Sequence, residues 1–367
     1  MSPSQLETVL KRLAHFGAPK AFLLVILLLS WQSFFDLGRS REYEVVEYFA
    51  GCARISRMAA GMGYRSAAMD LVYDNPKYFE GVPASLGSKP TWKKMETQLR
   101  SPMDLTTEGG FTCAICVALE GKLDNLVTFW GICCSSWVHM NTGTSQRDAL
   151  TPMGCAAFHS VNMANLLTSR SILLILLCIC MGGVPVIENP GTSLIWMHDR
   201  FQWLLEVLER CGMKMYKQRF WMCHFNSPSM KRTILWSTGS AIAALKRYAT
   251  MKKADFTFDP KNSTTVRYTN SGGKKAYKGS SKLKASQTYT PQFAAFTARM
   301  LPFLTDSKFK QKLPAVDESK PFIQIFEEMG WGDVWDDALL RHVVRYVRGS
   351  SSLCIPEEWR PLIPTAL

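Results

Sequence analysis

The sequence predicts an α/β protein, a doubly wound and mostly parallel sheet carrying N- and C-terminal extensions. Three observations point there. Between residues 41 and 240, short apolar runs that read as buried strands alternate with stretches of helical periodicity. The line from Tyr43 to Asp70 passes in order through a strand, a glycine break, a helix, a second strand and a carboxylate. Two later strands run directly into polar, chemistry-bearing residues, which puts them at the carboxyl ends where such sheets bind ligands.

Taken along the chain, residues 1–40 form the N-terminal extension and contain the unbroken apolar run Ala21–Leu29. Strands are expected at Glu44–Phe49, Ser66–Met69, Leu126–Trp130 and Pro185–Ile187, with a further pair near Met215–Met222 and Thr233–Ser237. Helices are expected at Ala53–Met62, where Ile55, Met58 and Ala59 share a face, and at Gly110–Leu119, Ala157–Cys180 and Leu194–Arg210. Gly182-Gly183 is the stop expected after the third of these. Residues 238–288 are polar and basic and read as an insertion or a mobile loop. The segment 291–304 is amphipathic and closes the main domain, 41–305. In the C-terminal extension 306–367, Phe322–Met329 and Asp337–Val347 have helical periodicity.

The 367 residues are 47% hydrophobic and 20% charged, an ordinary globular balance with room for a large core. Net charge is +13, and it is concentrated: residues 246–284 hold eleven Lys or Arg against Asp255 and Asp259, which leaves nine of the thirteen positive charges there. Such a stretch suits a polyanion, nucleic acid first, and a solvated basic loop is the plain alternative. The eleven cysteines are odd in number and mostly in apolar context, which fits reduced thiols and an intracellular location, the nucleus included, better than a disulfide framework. Cys113 and Cys116 form a lone CxxC and the six histidines form no HxxH pair, so no metal site is expected. Ala21–Leu29 is shorter than the ~20 residues that span a bilayer. With Lys11, Arg12 and Lys20 before it, residues 21–31 leave membrane anchoring open beside packing onto the domain.

The turn at Gly51 and the acid at Asp70 match a nucleotide-binding unit, the turn admitting a cofactor to the backbone and the acid gripping ribose hydroxyls. Further on, Leu126–Trp137 runs into Cys133-Cys134-Ser-Ser and puts a thiol at the same edge, and Val186–Ser193 delivers Glu188 and Asn189 beside it, a thiol next to a carboxylate.

In this order the segments resemble the cytosine-C5 DNA methyltransferases, a branch of the class I S-adenosylmethionine-dependent methyltransferases with a Rossmann-like fold. Glu47-Tyr-Phe-Ala-Gly-Cys-Ala is similar to the family's Asp-Leu-Phe-Ala-Gly-x-Gly, Met103-Asp104-Leu105 to its Gly-Asp-Ile, and Gly131-Ile-Cys-Cys134-Ser to its Gly-x-Pro-Cys-Gln. Ile187-Glu-Asn-Pro190 is similar to Glu-Asn-Val, and Lys217-Gln-Arg219 to Gln-x-Arg-x-Arg, while 291–304 stands where the family's last motif folds back beside the first. The resemblance spans about residues 43–304. It departs at Cys133 for proline, Ser135 for glutamine and a single arginine at 219, and 238–288 is short for a target-recognition domain.

The resemblance implies S-adenosyl-L-methionine as cofactor, held by Phe49, Ala50, Gly51, Asp70 and Asp104. It implies Cys134 as the thiol that adds to cytosine C6, Glu188 as the donor to N3 and Arg219 as the residue orienting the base. Ser135, Asn189 and Gln218 are the expected substrate-side residues, with Asn189 bracing the loop. Two alternatives stand beside this: an amino-methyltransferase, from the partial likeness of Asn189-Pro190 to an Asn-Pro-Pro-Tyr loop, and an inactive binding or scaffold protein of the same fold.

Overall fold

The computed structural model describes residues 1–30, 42–74, 103–248, 256–257, 259–273, 275–280, 282–283 and 286–331. The helix expected at Asp337–Val347 and parts of the basic stretch lie outside these.

Six strands form the central sheet: β1 (Val45–Tyr48), β2 (Ser66–Met69), β3 (Val127–Trp130), β4 (Val184–Pro190), β5 (Tyr216–Trp221) and β6 (Arg232–Ser237). Their spatial order is β2-β1-β3-β4-β6-β5. The pairs β1–β2, β1–β3 and β3–β4 are parallel. Strand β6 pairs antiparallel with both β4 and β5, so β5 runs with the parallel set and β6 alone is reversed. The order turns back between β1 and β3, and the crevice above their carboxyl ends is where a doubly wound sheet takes a ligand.

Helices cover both faces. On one lie α3 (Arg54–Gly61), the 3-10 stretch Ser240–Tyr248 and α7 (Pro291–Thr305), and α7 packs directly against α3. Val45, Phe129, Val186, Phe220 and Leu235 point into this layer beside Phe293 and Leu301. The opposite layer holds α4 (Glu108–Leu119), α5 (His159–Cys180), α6 (Asp199–Arg210), and the helices α1 (Pro3–His15), α2 (Lys20–Ser30) and α8 (Phe322–Glu328). Alternate strand residues such as Val46, Tyr48, Trp130 and Ile187 face it.

Three sequence expectations change here. Residues 3–30 do not stand apart as an extension: α1 and α2 are folded into the same core as α4 and α5, with Leu23, Ile26 and Leu28 fully buried. The start of the C-terminal segment joins them, since Lys20 Nζ donates to Met329 O at 2.8 Å and sits over the Phe326 ring. Second, the basic insertion carries structure of its own, the antiparallel hairpin of β7 (Thr265–Thr269) and β8 (Lys275–Gly279). The single helix expected over Leu194–Arg210 also divides, into a 3-10 turn at Ile195–Met197 and α6, whose first turn is capped by His198 Nδ1 accepting from Arg200 N. One described helix, α5, is long and apolar enough to cross a membrane, and 72% of its apolar window is buried inside the protein. It carries the fully buried side chains from Ile172 to Cys180 that cover the sheet.

Because α2 is core, trimming it should weaken the whole domain. Leu28→Ala is expected to cost about 3 kcal/mol of unfolding free energy, read by urea denaturation followed at the tryptophans.

Candidate active site

Strand β1 ends in an unusual turn. Phe49, Gly51 and Ala53 all have positive φ, at 56°, 54° and 51°. Two of the three bear side chains, so the loop holds backbone strain of the kind that collects at functional sites. Gly51 N donates to Asp70 Oδ2 at 2.7 Å and Val72 N to Asp70 Oδ1 at 3.0 Å. Asp70, at the end of β2, thus clasps the turn at the end of β1. A side chain starting at Gly51 would meet nothing within 4 Å, so the space above this turn is open.

Glu47 lies beneath it. Its Oε2 accepts from Ser56 N at 2.8 Å and Ser56 Oγ at 2.9 Å, while its Oε1 is buried with no hydrogen-bond partner. Burial above all, with Asp70 nearby, pushes the Glu47 carboxyl up to about 7 despite the Ser56 donors. Asp104 is engaged locally: its Oδ1 accepts from Thr106 N at 2.9 Å and Thr106 Oγ1 at 2.6 Å, fixing the turn before α4.

The loop after β3 carries Cys134. Asn189 Nδ2 donates to Ile132 O at 3.1 Å, and Leu194 N to Trp137 O at 2.9 Å, so the end of β4 and the segment after it hold both ends of that loop. A buried arginine holds it from below. Arg147 stacks 3.5 Å over the Trp137 ring and donates to Ser136 Oγ, Pro152 O, Val161 O and Asn165 Oδ1. Ser135 is exposed at the rim.

Glu188, almost wholly buried at the end of β4, faces the α3/α7 side. Its Oε1 pairs with Lys231 Nζ at 3.2 Å, and its Oε2 accepts from Tyr289 Oη at 2.9 Å. Tyr289 stands between Phe129 and Phe293, and its hydroxyl would come within 2.8 Å of a Cβ built on Gly131, with Phe49 O at 3.3 Å from the same point. The side chain therefore occupies the crevice between β1 and β3. Burial, with Lys231 pulling the other way, pushes the Cys134 thiol up to about 11.

The site residues divide unequally. Cys134, Glu188, Asn189, Asp70 and the Phe49–Gly51 turn converge on the sheet's carboxyl edge. Arg219 does not join Glu188. In the sheet register Glu188 pairs with Leu235 and Leu235 with Gln218, whereas Asn189 aligns with Ile234 and Arg219. Residues in register share a face, so Gln218 lies on the Glu188 side and Arg219 on the other, exposed. Gln218 turns its amide to Arg219 O at 2.7 Å. Lys231 and Tyr289 were not singled out from the sequence, and only their positions, one before β6 and one before α7, offered any signal.

The sheet order, its turning point at β1/β3 and the one reversed strand between β4 and β5 settle the architecture. The fold is a Rossmann-like, doubly wound α/β sheet with one reversed strand. Among solved structures the chain is similar to the Dnmt2 methyltransferase of S. pombe, at 14% identity over 59% of this chain and with a TM-score of 0.33. The chain spans about 57% of that structure's length. No protein-family model matches, and no curated protein matches.

Glu47 makes the site pH-sensitive. Between its ordinary value of 4.5 and about 7, the folded protein binds a proton that the unfolded chain has released. Stability therefore falls as pH rises through that window, by about 3 kcal/mol in all. Glu47→Gln is expected to flatten this slope, measured by urea unfolding at about pH 5 and about pH 8.

Proposed function

We propose that this protein binds S-adenosyl-L-methionine at the β1/β2 edge and transfers its methyl group to a nucleic acid, at C5 of cytosine. The observation that carries the reading is convergence: the strained Phe49–Ala53 turn, Asp70, the Cys134 loop and Glu188 come from four strands and meet at the turning point of the sheet.

The residues present fit the cofactor. Open space over Gly51 admits a ligand to the backbone, and the orphaned Glu47 Oε1 is an acceptor that a cationic or N–H group would satisfy. Each Asp70 oxygen accepts one backbone N–H and keeps a lone pair for a ribose hydroxyl. When bound, the cofactor supplies an electrophilic sulfonium methyl group. In this reading Cys134 as thiolate adds its sulfur to C6 while a proton reaches N3 on the Glu188 side, C5 takes the methyl group, and loss of the C5 proton to water with departure of the Cys134 thiolate frees the base; Asn189 holds the Cys134 loop in place through Ile132 O. For a base to enter, it leaves its stack and Tyr289 gives up its place against Glu188. The basic 246–284 stretch holds phosphates, which makes binding fall with salt.

A second reading, a non-catalytic binding module of the same fold, draws on two facts: Tyr289 fills the crevice, and burial pushes the Cys134 thiol up to about 11. Two measurements separate the readings. S-adenosylhomocysteine at roughly a hundred times its Kd is expected to stabilise the protein by about 2.7 kcal/mol, and an unchanged melting curve would count against both cofactor binding and methyl transfer. An oligonucleotide carrying 5-fluorocytosine is expected to give a covalent adduct that Cys134→Ser abolishes. Cofactor binding without any adduct would favour the binding module, and turnover surviving Cys134→Ser would favour amine methylation.

A further inference from the structure

Arg219 lies away from Glu188, but it does not stand alone on its own face of the sheet. Side chains alternate along a strand, so Lys217, Arg219 and Trp221 of β5 share one side. Across the ladder they align with Trp236, Ile234 and Arg232 of β6. Ile234 and Trp236 are buried in the core layer, whereas Lys217, Arg219 and Arg232 are exposed. Rings sit among the cations. Lys217 Nζ lies 4.2 Å from the centre of the Trp236 ring and 5.7 Å from that of Trp196, and the Arg232 guanidinium lies 6.0 Å from that of Trp221. Trp196 is 37% exposed and Trp221 is half-buried. Among the described residues, no carboxylate pairs with Lys217, Arg219 or Arg232. Burial and then the neighbouring Arg219 lower the Lys217 pKa, as expected of a cation without a counter-charge.

The row is continuous with the candidate site. Arg232 O accepts from Gly191 N at 2.7 Å, and a Cβ on Gly191 would meet Arg232 Cγ at 2.8 Å. Arg232 therefore packs against the chain as it leaves β4, three residues past Glu188. From there the positions run back along β5, the outermost strand, at steps of about 6.8 Å, two residues of strand rise.

We infer that this face of β5 and β6 docks a single strand of nucleic acid, with Lys217, Arg219 and Arg232 on phosphates and the rings of Trp196 and Trp221 against bases. The inference deepens the nucleic-acid reading above and rests on it. Evenly spaced cations with no acid to neutralise them suit a backbone of regular negative charge, and interleaved rings suit unpaired bases. An anionic bilayer or an acidic peptide would satisfy the cations and leave the rings unused, and a duplex keeps its bases stacked on one another. A strand lying here reaches the sheet edge at Gly191, beside the loop bearing Cys134, where the proposed chemistry needs an unstacked base.

The test is fluorescence anisotropy of a labelled single strand of about twelve nucleotides with the full chain and no cofactor. Lys217→Gln/Arg219→Gln/Arg232→Gln is expected to weaken binding and to lower the slope of log affinity against log salt by about 2, three contacts at about 0.7 each. Trp196→Leu is expected to weaken binding about tenfold with the slope unchanged, and Trp196→Phe to restore most of it. All these side chains are exposed, and urea unfolding checks that the variants fold; should the triple variant fail to, the Trp196 pair carries the test. The triple variant is expected to lose less affinity for a duplex of the same sequence, for polyglutamate and for phosphatidylserine vesicles. An equal or larger loss for any of these, an unchanged slope in the folded triple variant, unchanged binding by Trp196→Leu, or no binding by the starting protein would overturn the inference. S-adenosylhomocysteine binding without these effects would sink the docking surface alone. These effects without S-adenosylhomocysteine binding would sink methyl transfer and leave the docking surface standing.

Discussion

Glu188 is a carboxylate buried at the end of a central strand, and a charge in that position must be paired. Its partners come from distant parts of the chain: Lys231 from the residue just before the reversed strand β6, and Tyr289 from the lead-in to α7. Satisfying one side chain thereby fixes the approach of the sheet's reversed strand and of its closing helix toward the β1/β3 crevice. Neighbouring bonds extend the same clamp. Asn189 reaches Ile132 O, Leu194 reaches Trp137 O, and Arg147 locks the loop from beneath by stacking on Trp137. The loop bearing Cys134 is built as a rigid feature of the scaffold.

The opposite wall of the crevice depends on backbone strain. Phe49 and Ala53 adopt left-handed conformations that side chains disfavour. Asp70 holds the turn through Gly51 N, and the Glu47–Ser56 bonds hold the start of α3 below it. Within this wall, Glu47 keeps one oxygen without a partner. An orphaned acceptor beside a strained turn is expensive in a folded protein, and a ligand that supplies a donor would relieve it. Tyr289, by contrast, fills the crevice, and its aromatic contacts with Phe129 and Phe293 hold it there.

Much of the site was legible in the sequence because it sits where strands end. A strand followed by Gly51, a strand ending at Asp70 and a strand running into Glu188-Asn189 can be placed at one edge from periodicity alone. The same logic brings the Cys133-Cys134 pair to that edge, and only the family resemblance singled out Cys134. What was not legible was the pairing of faces. Arg219 looked like a partner for Glu188 in a linear motif, but side chains alternate along a strand, and only the register across β6 decides which of Gln218 and Arg219 shares the Glu188 side. Lys231 and Tyr289 lie 43 and 101 residues from Glu188. No local pattern marks either.

By itself the sequence determined the elements: five strands within one residue of their observed limits and a sixth expected to end at Ile187 where β4 runs on to Pro190, the helices between them, and a basic segment that interrupts the end of the domain. Hydrophobic periodicity does this because it is a local property, set by which face of a strand or helix must avoid water. The tertiary structure alone decided that α1 and α2 belong to the core, that β6 is the reversed strand, and that Glu188 meets Lys231 and Tyr289. These outcomes depend on charge burial and on packing between segments far apart in the chain, and such energies exist only once the chain has closed on itself.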